Sequence, residues 1–487
     1  MKLPDKLHCP NCKGRLASLS SGALLCGDCE RTVQIVDGIA DFAGDSLAVE
    51  PESDRYGAGT TPIWPDDTDP WAGIQAAAGS RWPGFLGDTI ELGCGNGDIA
   101  QAIATAQRFR TLLVCDTDIA MLRACQSRLA SFGGDPGDPV AFATLGGARD
   151  ALRDAVADTV IGTRVLSGLV HIPAFLAMVY RVLKPGGRAA FVVPNRRYHE
   201  AMCLAMAEAL VHRRVREGAW PDGQAPVLEH LAFMRRLLIH RDNPRILSDS
   251  SEKRLFDGEP LQDMAEDAGF ATVAMLPLYP DPAGAETMYR LCRDSGSPDS
   301  FARPFGAYAA AVGKSFFSLL SGRDSSASTV LWLTKAAGPD VRVFAHRPAP
   351  PVPDYVEPAV AIGGVEPRWS VELLARDTPD GIAVSVGGWC LCNADVSAVR
   401  LTLDGVTGDA PVWRPRPDVH DVLNGTGLYH PVNTLCSGLA AEILFPNAHA
   451  VDGSCPLKME VILASGLVVT GPAPDRLAMN EPTVIAH

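Results

Sequence analysis

Apolar positions along this chain follow two periods. Between residues 89 and 194 short apolar runs alternate with segments of helical spacing. Thr89-Ile90-Glu91-Leu92 leads into Gly93-Cys94-Gly95-Asn96-Gly97. Ile99, Ala102, Ile103 and Ala106 then share one helical face, and Leu112-Leu113-Val114-Cys115 is a second run that ends on Asp116. Met121, Leu122, Cys125, Leu129 and Phe132 form a second helical stripe behind Asp118, which stands at an N-cap position. Val140–Thr144, Thr159–Thr163 and Ala189–Val193 repeat the short run. Strand and helix alternating in this way predict an α/β, doubly wound, Rossmann-like sheet. Leu261–Ala268 reads as a helix stopped at Gly269, and Ala271–Leu276 and Thr329–Thr334 read as the strands that close the sheet. Residues 280–325, with their Pro, Gly and Ser, read as an irregular excursion.

From residue 359 the period changes to two. Val399, Leu401 and Leu403 alternate with Arg400 and Thr402 before a turn at Asp404-Gly405. Leu457, Met459, Val461 and Leu463 alternate with Lys458 and Glu460 before Ser465-Gly466. This is the pattern of an all-β sandwich.

The 487 residues divide accordingly. Residues 1–45 form a small cysteine-bearing unit. Residues 46–85, rich in Pro, Asp, Gly and Trp (Trp64, Trp71, Trp82), form a linker with a short helix. Residues 86–340 carry the α/β domain, 341–358 a proline-rich spacer, and 359–487 the β-sandwich. Within the α/β domain, 196–255 departs from the pattern. A helix over Ala201–Val215 has Arg213 and Arg214 in its last turn, and Arg216, His230, Arg235, Arg236, His240 and Arg241 come after it. An insertion here either caps a substrate site, its basic groups holding a phosphate or carboxylate, or presents a solvated helical face.

Lys+Arg 43 against Asp+Glu 57 gives a net charge of −14. That balance argues against non-specific nucleic-acid binding, which relies on cations neutralising phosphates. No apolar run reaches the ~20 residues that span a bilayer, and the N-terminus has no hydrophobic signal core. The thirteen cysteines are an odd number, and Cys115, Cys125 and Cys203 fall inside predicted core elements. Free thiols with a metal site in a reducing compartment are expected, hence a cytoplasmic protein.

Two constellations carry chemistry. Cys9-Pro10-Asn11-Cys12 and Cys26-Gly27-Asp28-Cys29 are two C-x-x-C knuckles thirteen residues apart. Four thiolates close a tetrahedral structural Zn2+ site and leave no open position for catalysis. A redox pair or unrelated thiols are the other readings. Structural zinc contributes on the order of 10–16 kcal/mol in comparable peptides, so the metal would largely fold this unit. The second constellation is the glycine cluster with its acids. Glycines let the chain turn and a ligand approach closely, and Asp116, about 20 residues on, is placed to accept from ribose hydroxyls. Asp98 stands where a dinucleotide fingerprint has its third glycine, and Glu91 precedes the turn. Those acids would repel a pyrophosphate and attract an ammonium, which suits S-adenosylmethionine with its ribose and cationic amino-acid end; an ordinary β-turn-α unit with a glycine turn is the other reading. Thr163, Arg164 and Ser167 follow the fourth strand, near where the methyl group is expected. His171 is either a general base or a helix-start histidine holding a backbone bond.

The stretch from Thr89 to Ile119 resembles motif I of the class I S-adenosylmethionine-dependent methyltransferases. Ala157–Thr163 resembles the family's fourth strand, and Arg181-Val182-Leu183-Lys184-Pro185-Gly186-Gly187 the turn before its fifth. The resemblance implies that Asp116 binds the ribose. It implies that Gly93, Gly95, Asn96 and Gly97 pass under the adenosyl and amino-acid portions, and that Glu91 or Asp98 faces the ammonium. Gly147 stands where many members carry an acid near adenine, so a backbone contact near Ala148 is expected instead. The cysteine unit is similar to zinc ribbons that partner or precede some methyltransferases, which implies a structural or protein-docking role. Gly388-Trp389, Leu403-Asp404-Gly405 and Arg416-Pro417-Asp418-Val419 resemble Ig-like modules appended to bacterial sugar-processing transferases. Together these imply SN2 methyl transfer to an oxygen or nitrogen of a saccharide or glycan-linked small molecule. RNA is the alternative acceptor, and a non-catalytic scaffold with a degenerate cofactor fold is the alternative of another class.

Overall fold

The computed structural model describes residues 5–19, 22–42, 70–106, 108–130, 139–145, 151–163, 165–169, 171–220, 224–239, 255–338, 367–423, 429–451, 453–470 and 476–486. The proline-rich spacer, Trp64, Arg164, Gly147, Ala148, His240 and Arg241 lie outside these residues. Two compact units divide the chain. One comprises Met1–Tyr198, Ser250–Pro282 and Leu320–Arg342; the other comprises His199–Asp249, Ala283–Leu319 and Val343–His487.

The first unit begins with four short strands: β1 (Leu16–Ser18), β2 (Ala23–Cys26), β3 (Thr32–Val36) and β4 (Ile39–Asp41). Helix α1 (Pro70–Ala78) precedes the repeating part. There follow β5 (Asp88–Leu92), α2 (Asp98–Ala106), β6 (Thr111–Asp116), α3 (Ile119–Arg128), β7 (Val140–Thr144), β8 (Ala157–Thr163), α4 (Ile172–Val182) and β9 (Leu183–Pro194). The chain leaves this unit in α5 (Arg196–Glu217) and α6 (Ala225–Ile239). It returns for α7 (Gly258–Asp267) and β10 (Thr272–Pro277), leaves again in α8 (Ala285–Asp294) and α9 (Asp299–Val312), and closes with β11 (Ser328–Thr334). One sheet of eleven strands results, in the order β1-β2-β3-β4-β7-β6-β5-β8-β9-β11-β10. Strands β4 to β9 of this order pair in parallel, while β11 is antiparallel to both β9 and β10.

Strand β6 explains the layering. Leu112 and Val114 belong to one buried cluster, with Ile99 and Ile103 of α2, Leu122 and Cys125 of α3 and Trp71 of α1. Leu113 and Cys115 belong to the other, with Phe175 and Leu176 of α4 and Leu261 of α7. A strand apolar on both faces is stable only between two layers, and helices supply both. On α2 the buried face is Ile99, Ala100, Ile103 and Ala104. Ala106, expected on that face, is exposed; the wider i, i+1, i+4, i+5 stripe turns Ala100 and Ala104 inward. Trp82 packs edge-on against Trp71 (5.0 Å) and at a tilt of 54° against Trp332 of β11 (5.9 Å), so these indoles anchor the segment to the sheet.

In the second unit, α5 buries Ala201, Met202, Ala205, Met206, Ala209 and Leu210 at helical spacing. The stretch expected to be irregular is helical in α8 and α9. Their buried residues, Met288, Tyr289 and Cys292 and then Phe301, Phe305 and Ala309, carry the 3.6 period. A Cβ on Gly306 would stand 2.8 Å from the Tyr289 nitrogen, so glycine permits the close crossing of α8 and α9. Nine further strands follow: β12 (Arg368–Thr378), β13 (Gly381–Leu391), β14 (Val396–Leu403), β15 (Val406–Arg414), β16 (Gly438–Pro446), β17 (Ser454–Leu463), β18 (Val468–Thr470), β19 (Arg476–Ala478) and β20 (Pro482–Ala486). They form a curled antiparallel sheet in which β15 pairs with both β14 and β16. Val399 and Leu401 of β14 therefore share one core with Val371 and Leu373 of β12. Among the described residues, no helix is long and apolar enough to cross a membrane.

Candidate cofactor site and four-cysteine centre

The glycine turn connects β5 to α2. Gly93, Gly95 and Gly97 all have positive φ (70°, 51° and 90°), which side chains with a Cβ rarely adopt. Gly93 and Cys94 donate backbone N–H to the Cys115 carbonyl at 2.8 and 3.2 Å, which ties the turn to the end of β6. Asp116 completes the tie. Its Oδ2 accepts from the Gly95 N–H and its Oδ1 from the Asp118 N–H, both at 3.0 Å. Both oxygens are thereby oriented, and each keeps a further acceptor direction. Asp118 caps α3 through the Ala120 N–H at 2.7 Å. Cys125 of that helix lies directly beneath the turn: a Cβ on Gly97 would stand 2.7 Å from its Sγ. The Cys94 thiol, hydrogen-bonded to Cys125 and buried, is pushed up, while the same bond holds Cys125 down.

The two acids weighed for a cationic ligand differ sharply. Asp98 is half exposed and ion-paired with Arg128. Glu91 is 1% exposed. Among the described residues its Oε2 has no hydrogen-bond partner. Burial pushes its carboxyl well above the usual carboxylate range, with Cys125, Asp116 and Asp98 acting in the same direction. A cation beside it would favour its ionised form.

Asn96 is exposed on the turn and Thr163 half-buried at the end of β8. Ser167 is buried in the following 3-10 turn. His171 is exposed at the N-cap of α4, where its carbonyl accepts from Phe175 (3.2 Å) and its ring makes no capping bond. Beyond β9, the Asn195 amide donates to the Ser326 carbonyl (3.0 Å), and the Tyr198 hydroxyl donates to the Asp281 carbonyl (3.0 Å). In the second unit three of the arginines that the sequence offers to an anion face carboxylates. Arg213 pairs with Glu217, Arg214 with Asp421 and Arg235 with Asp395.

The four cysteines converge. Cys9 and Cys29 Sγ lie 3.5 Å apart and Cys12 and Cys26 Sγ 3.4 Å apart, and all four sulfurs fall within 4.8 Å of one another. A zinc–sulfur distance of about 2.3 Å puts the corners of a tetrahedron about 3.8 Å apart, so the donor set fits a zinc ion. Each knuckle closes the same way. Lys13 and Glu30, the residues after Cys12 and Cys29, have φ of 62° and 58°, and their N–H groups donate back to the Cys9 and Cys26 carbonyls.

At the opposite end of β5, Asp88 accepts from Lys184 (2.6 Å) and Thr111 (2.6 Å) and pairs with Lys6 (3.0 Å) and Arg110 (3.1 Å). No pattern in the sequence marks this cluster, because its members are isolated residues brought together by the sheet.

Residues 90–189 match the model of a methyltransferase domain family. Over these residues, which run from β5 into β9, the chain is similar to a methyltransferase domain. No curated protein matches the chain. Similar solved structures include a Haemonchus contortus phosphoethanolamine N-methyltransferase 2 in complex with phosphomonomethylethanolamine and S-adenosylhomocysteine (15% identity, TM-score 0.33, covering 55% of this chain and 53% of that one). A Haloferax volcanii complex with the Trm112 methyltransferase activator gives 15% identity and a TM-score of 0.32, over 55% and 90%. An S-adenosylmethionine-dependent methyltransferase from Mesorhizobium loti gives 15% and 0.31, over 55% and 99%. The chain spans about half the length of the first of these.

Proposed function

We propose that this protein transfers a methyl group from S-adenosylmethionine to an oxygen or nitrogen of a saccharide or glycan-linked small molecule. The observation that carries the cofactor half of this reading is Asp116, a carboxylate oriented by two backbone amides beside a turn of three positive-φ glycines. In this reading Asp116 accepts the ribose hydroxyls. Gly93, Gly95, Asn96 and Gly97 form the floor, and Thr163 lies towards the methyl group. Glu91 answers the ammonium, because Asp98 is already engaged by Arg128. When bound, the cofactor supplies an electrophilic methyl on sulfonium, so the acceptor's lone pair forms the new bond as the carbon–sulfur bond breaks and the acceptor gives up a proton. The chain's share is to hold donor and acceptor in line. Alignment alone supplies about 7–11 kcal/mol of such a barrier, so no covalent catalyst is required. His171 is the candidate to take the proton.

Cys9, Cys12, Cys26 and Cys29 hold a structural zinc ion in this reading, and their spacing in space supports it. The saccharide acceptor rests on the Ig-like resemblance of residues 359–487, whose curled antiparallel sheet is compatible with such a module. The test is transfer of labelled methyl from S-adenosylmethionine to carbohydrate, small-molecule and RNA fractions. Label in a glycan-bearing fraction supports the proposal. Label in RNA alone refutes the acceptor, and label in none favours the scaffold.

A further inference from the structure

We propose that the four-cysteine unit is an inbuilt buttress of the cofactor site, so that metal binding and cofactor binding are coupled in this chain. The inference rests on the cofactor reading above. Strand β4 continues the methyltransferase sheet, pairing in parallel with β7 through Ile39↔Phe142, Ala40↔Ala143 and Asp41↔Thr144. Thr144 is the pivot. Its hydroxyl accepts from the Phe42 N–H and donates to Asp41 Oδ1, each at 2.8 Å. The next residue, Leu145, donates its N–H to the Asp116 carbonyl at 2.9 Å. Two residues of the cysteine unit therefore hold the end of β7, and the end of β7 holds the backbone of the ribose-binding acid.

A second line reaches the same place. The turn between β3 and β4 touches α3: the Gln126 amide donates to the Asp37 carbonyl (2.9 Å), and Arg123 pairs with the Asp37 carboxylate (2.9 Å). Helix α3 starts at Asp118, whose N–H orients Asp116, and it carries Cys125 under Gly97. The unit thus leans on both the strand end and the helix that flank Asp116.

The unit cannot hold this position by itself. Its strands are three to five residues long. Pieces below about 40 residues usually need a metal or disulfide to stay folded, and its buried side chains are shared. Cys9, Cys26 and Phe42 belong to one core with Cys115, Leu145 and Leu152. Without the metal the knuckles lose their crosslink, β4 loses its support, and Thr144 and α3 lose their outer partners. A separate docking module attached by a linker would have no such consequence for the cofactor site. Coupling between two sites is reciprocal. The metal raises cofactor affinity, and the cofactor holds the metal in place.

Two measurements on the full chain test this. The first follows zinc release to a chromogenic chelator, with and without saturating S-adenosylhomocysteine. The second is calorimetric titration of S-adenosylhomocysteine into zinc-loaded and chelator-stripped protein. The expected result is slower release with ligand and a roughly 5- to 150-fold weaker affinity after stripping, the usual range for coupled sites. Thr144→Val is a positioning variant. It should keep its zinc yet lose most of the ligand's protection of that zinc, which general destabilisation would not select. Ligand binding by loaded protein, with unchanged release and equal affinity after stripping, overturns the coupling alone. No binding by zinc-loaded protein removes the cofactor reading, and this proposal with it.

Discussion

Glu91→Gln exchanges a buried carboxyl for a neutral group of the same shape. Burial, with Cys125, Asp116 and Asp98 nearby, holds the Glu91 proton on in the ligand-free chain. A carboxyl with a raised folded-state pKa contributes stability that is fully present below its unfolded value and is lost as pH rises through the folded one. Across that window the wild-type protein loses about 1.4 kcal/mol per pH unit relative to the Gln variant. Ligand-free Glu91→Gln should therefore melt higher than wild type near neutral pH, with the gap growing as pH rises. Cofactor binding should show the opposite preference. An ammonium beside Glu91 favours the ionised carboxyl, so binding expels a proton and wild-type affinity climbs by up to tenfold per pH unit. In the variant that slope is absent. Affinity also falls by roughly 10- to 150-fold where Glu91 would be ionised, the cost of about 1.5–3 kcal/mol for a charged hydrogen bond. The assay pairs thermal melts with calorimetry in buffers of different ionisation heat. It is run between about pH 6 and 7.5, below the titration of an α-amino group at about 7.7–8. No proton release by wild type would refute the placing of Glu91 against the ammonium, and a variant that melts lower than wild type throughout would refute the proton held by burial.

Other perturbations follow from the same geometry. Asp88→Asn leaves the buried Lys6 ammonium without its carboxylate and should cost about 3–5 kcal/mol in unfolding experiments. Lys184 and Lys6 hold the Asp88 carboxyl below its usual range, so its contribution is present above about pH 3.8 and is lost as pH falls through the folded value, which acid titration of wild type against variant would reveal. Gly97→Ala puts a Cβ 2.7 Å from Cys125 Sγ and 3.0 Å from the Cys125 backbone, at a φ of 90°. The backbone conformation alone costs about 1–2 kcal/mol. Cys125→Ala should restore only part of the lost stability, because it removes the sulfur and leaves the backbone of α3 where it was. The melting temperatures of the single and double variants check this.

The central sheet and its turn were legible because they are local. Leu112–Cys115 is apolar on both faces, the three glycines sit in five consecutive residues, and Asp116 ends the same short unit. What was illegible depends on long-range pairing. Strand β4 is three residues long, and it meets β7 about a hundred residues away through backbone groups that leave no side-chain pattern. Glu91 and Asp98 looked equivalent in the sequence; only Arg128, thirty residues on, engages one and leaves the other buried. The helical stripe containing Cys125 was visible, but not that it lies beneath Gly97. Residues 280–325 read as irregular because Pro and Gly interrupt the pattern, although Phe301, Phe305 and Ala309 follow the helical period across Pro304.

The most direct test of the account is calorimetric titration of the zinc-loaded protein with S-adenosylmethionine and S-adenosylhomocysteine, beside Asp116→Ala. Removing a charged acceptor should weaken both ligands by roughly 10- to 150-fold, or about 1.5–3 kcal/mol. Micromolar binding that weakens by that factor would match the account. Binding unchanged by the substitution, or absent from the intact protein, would contradict it.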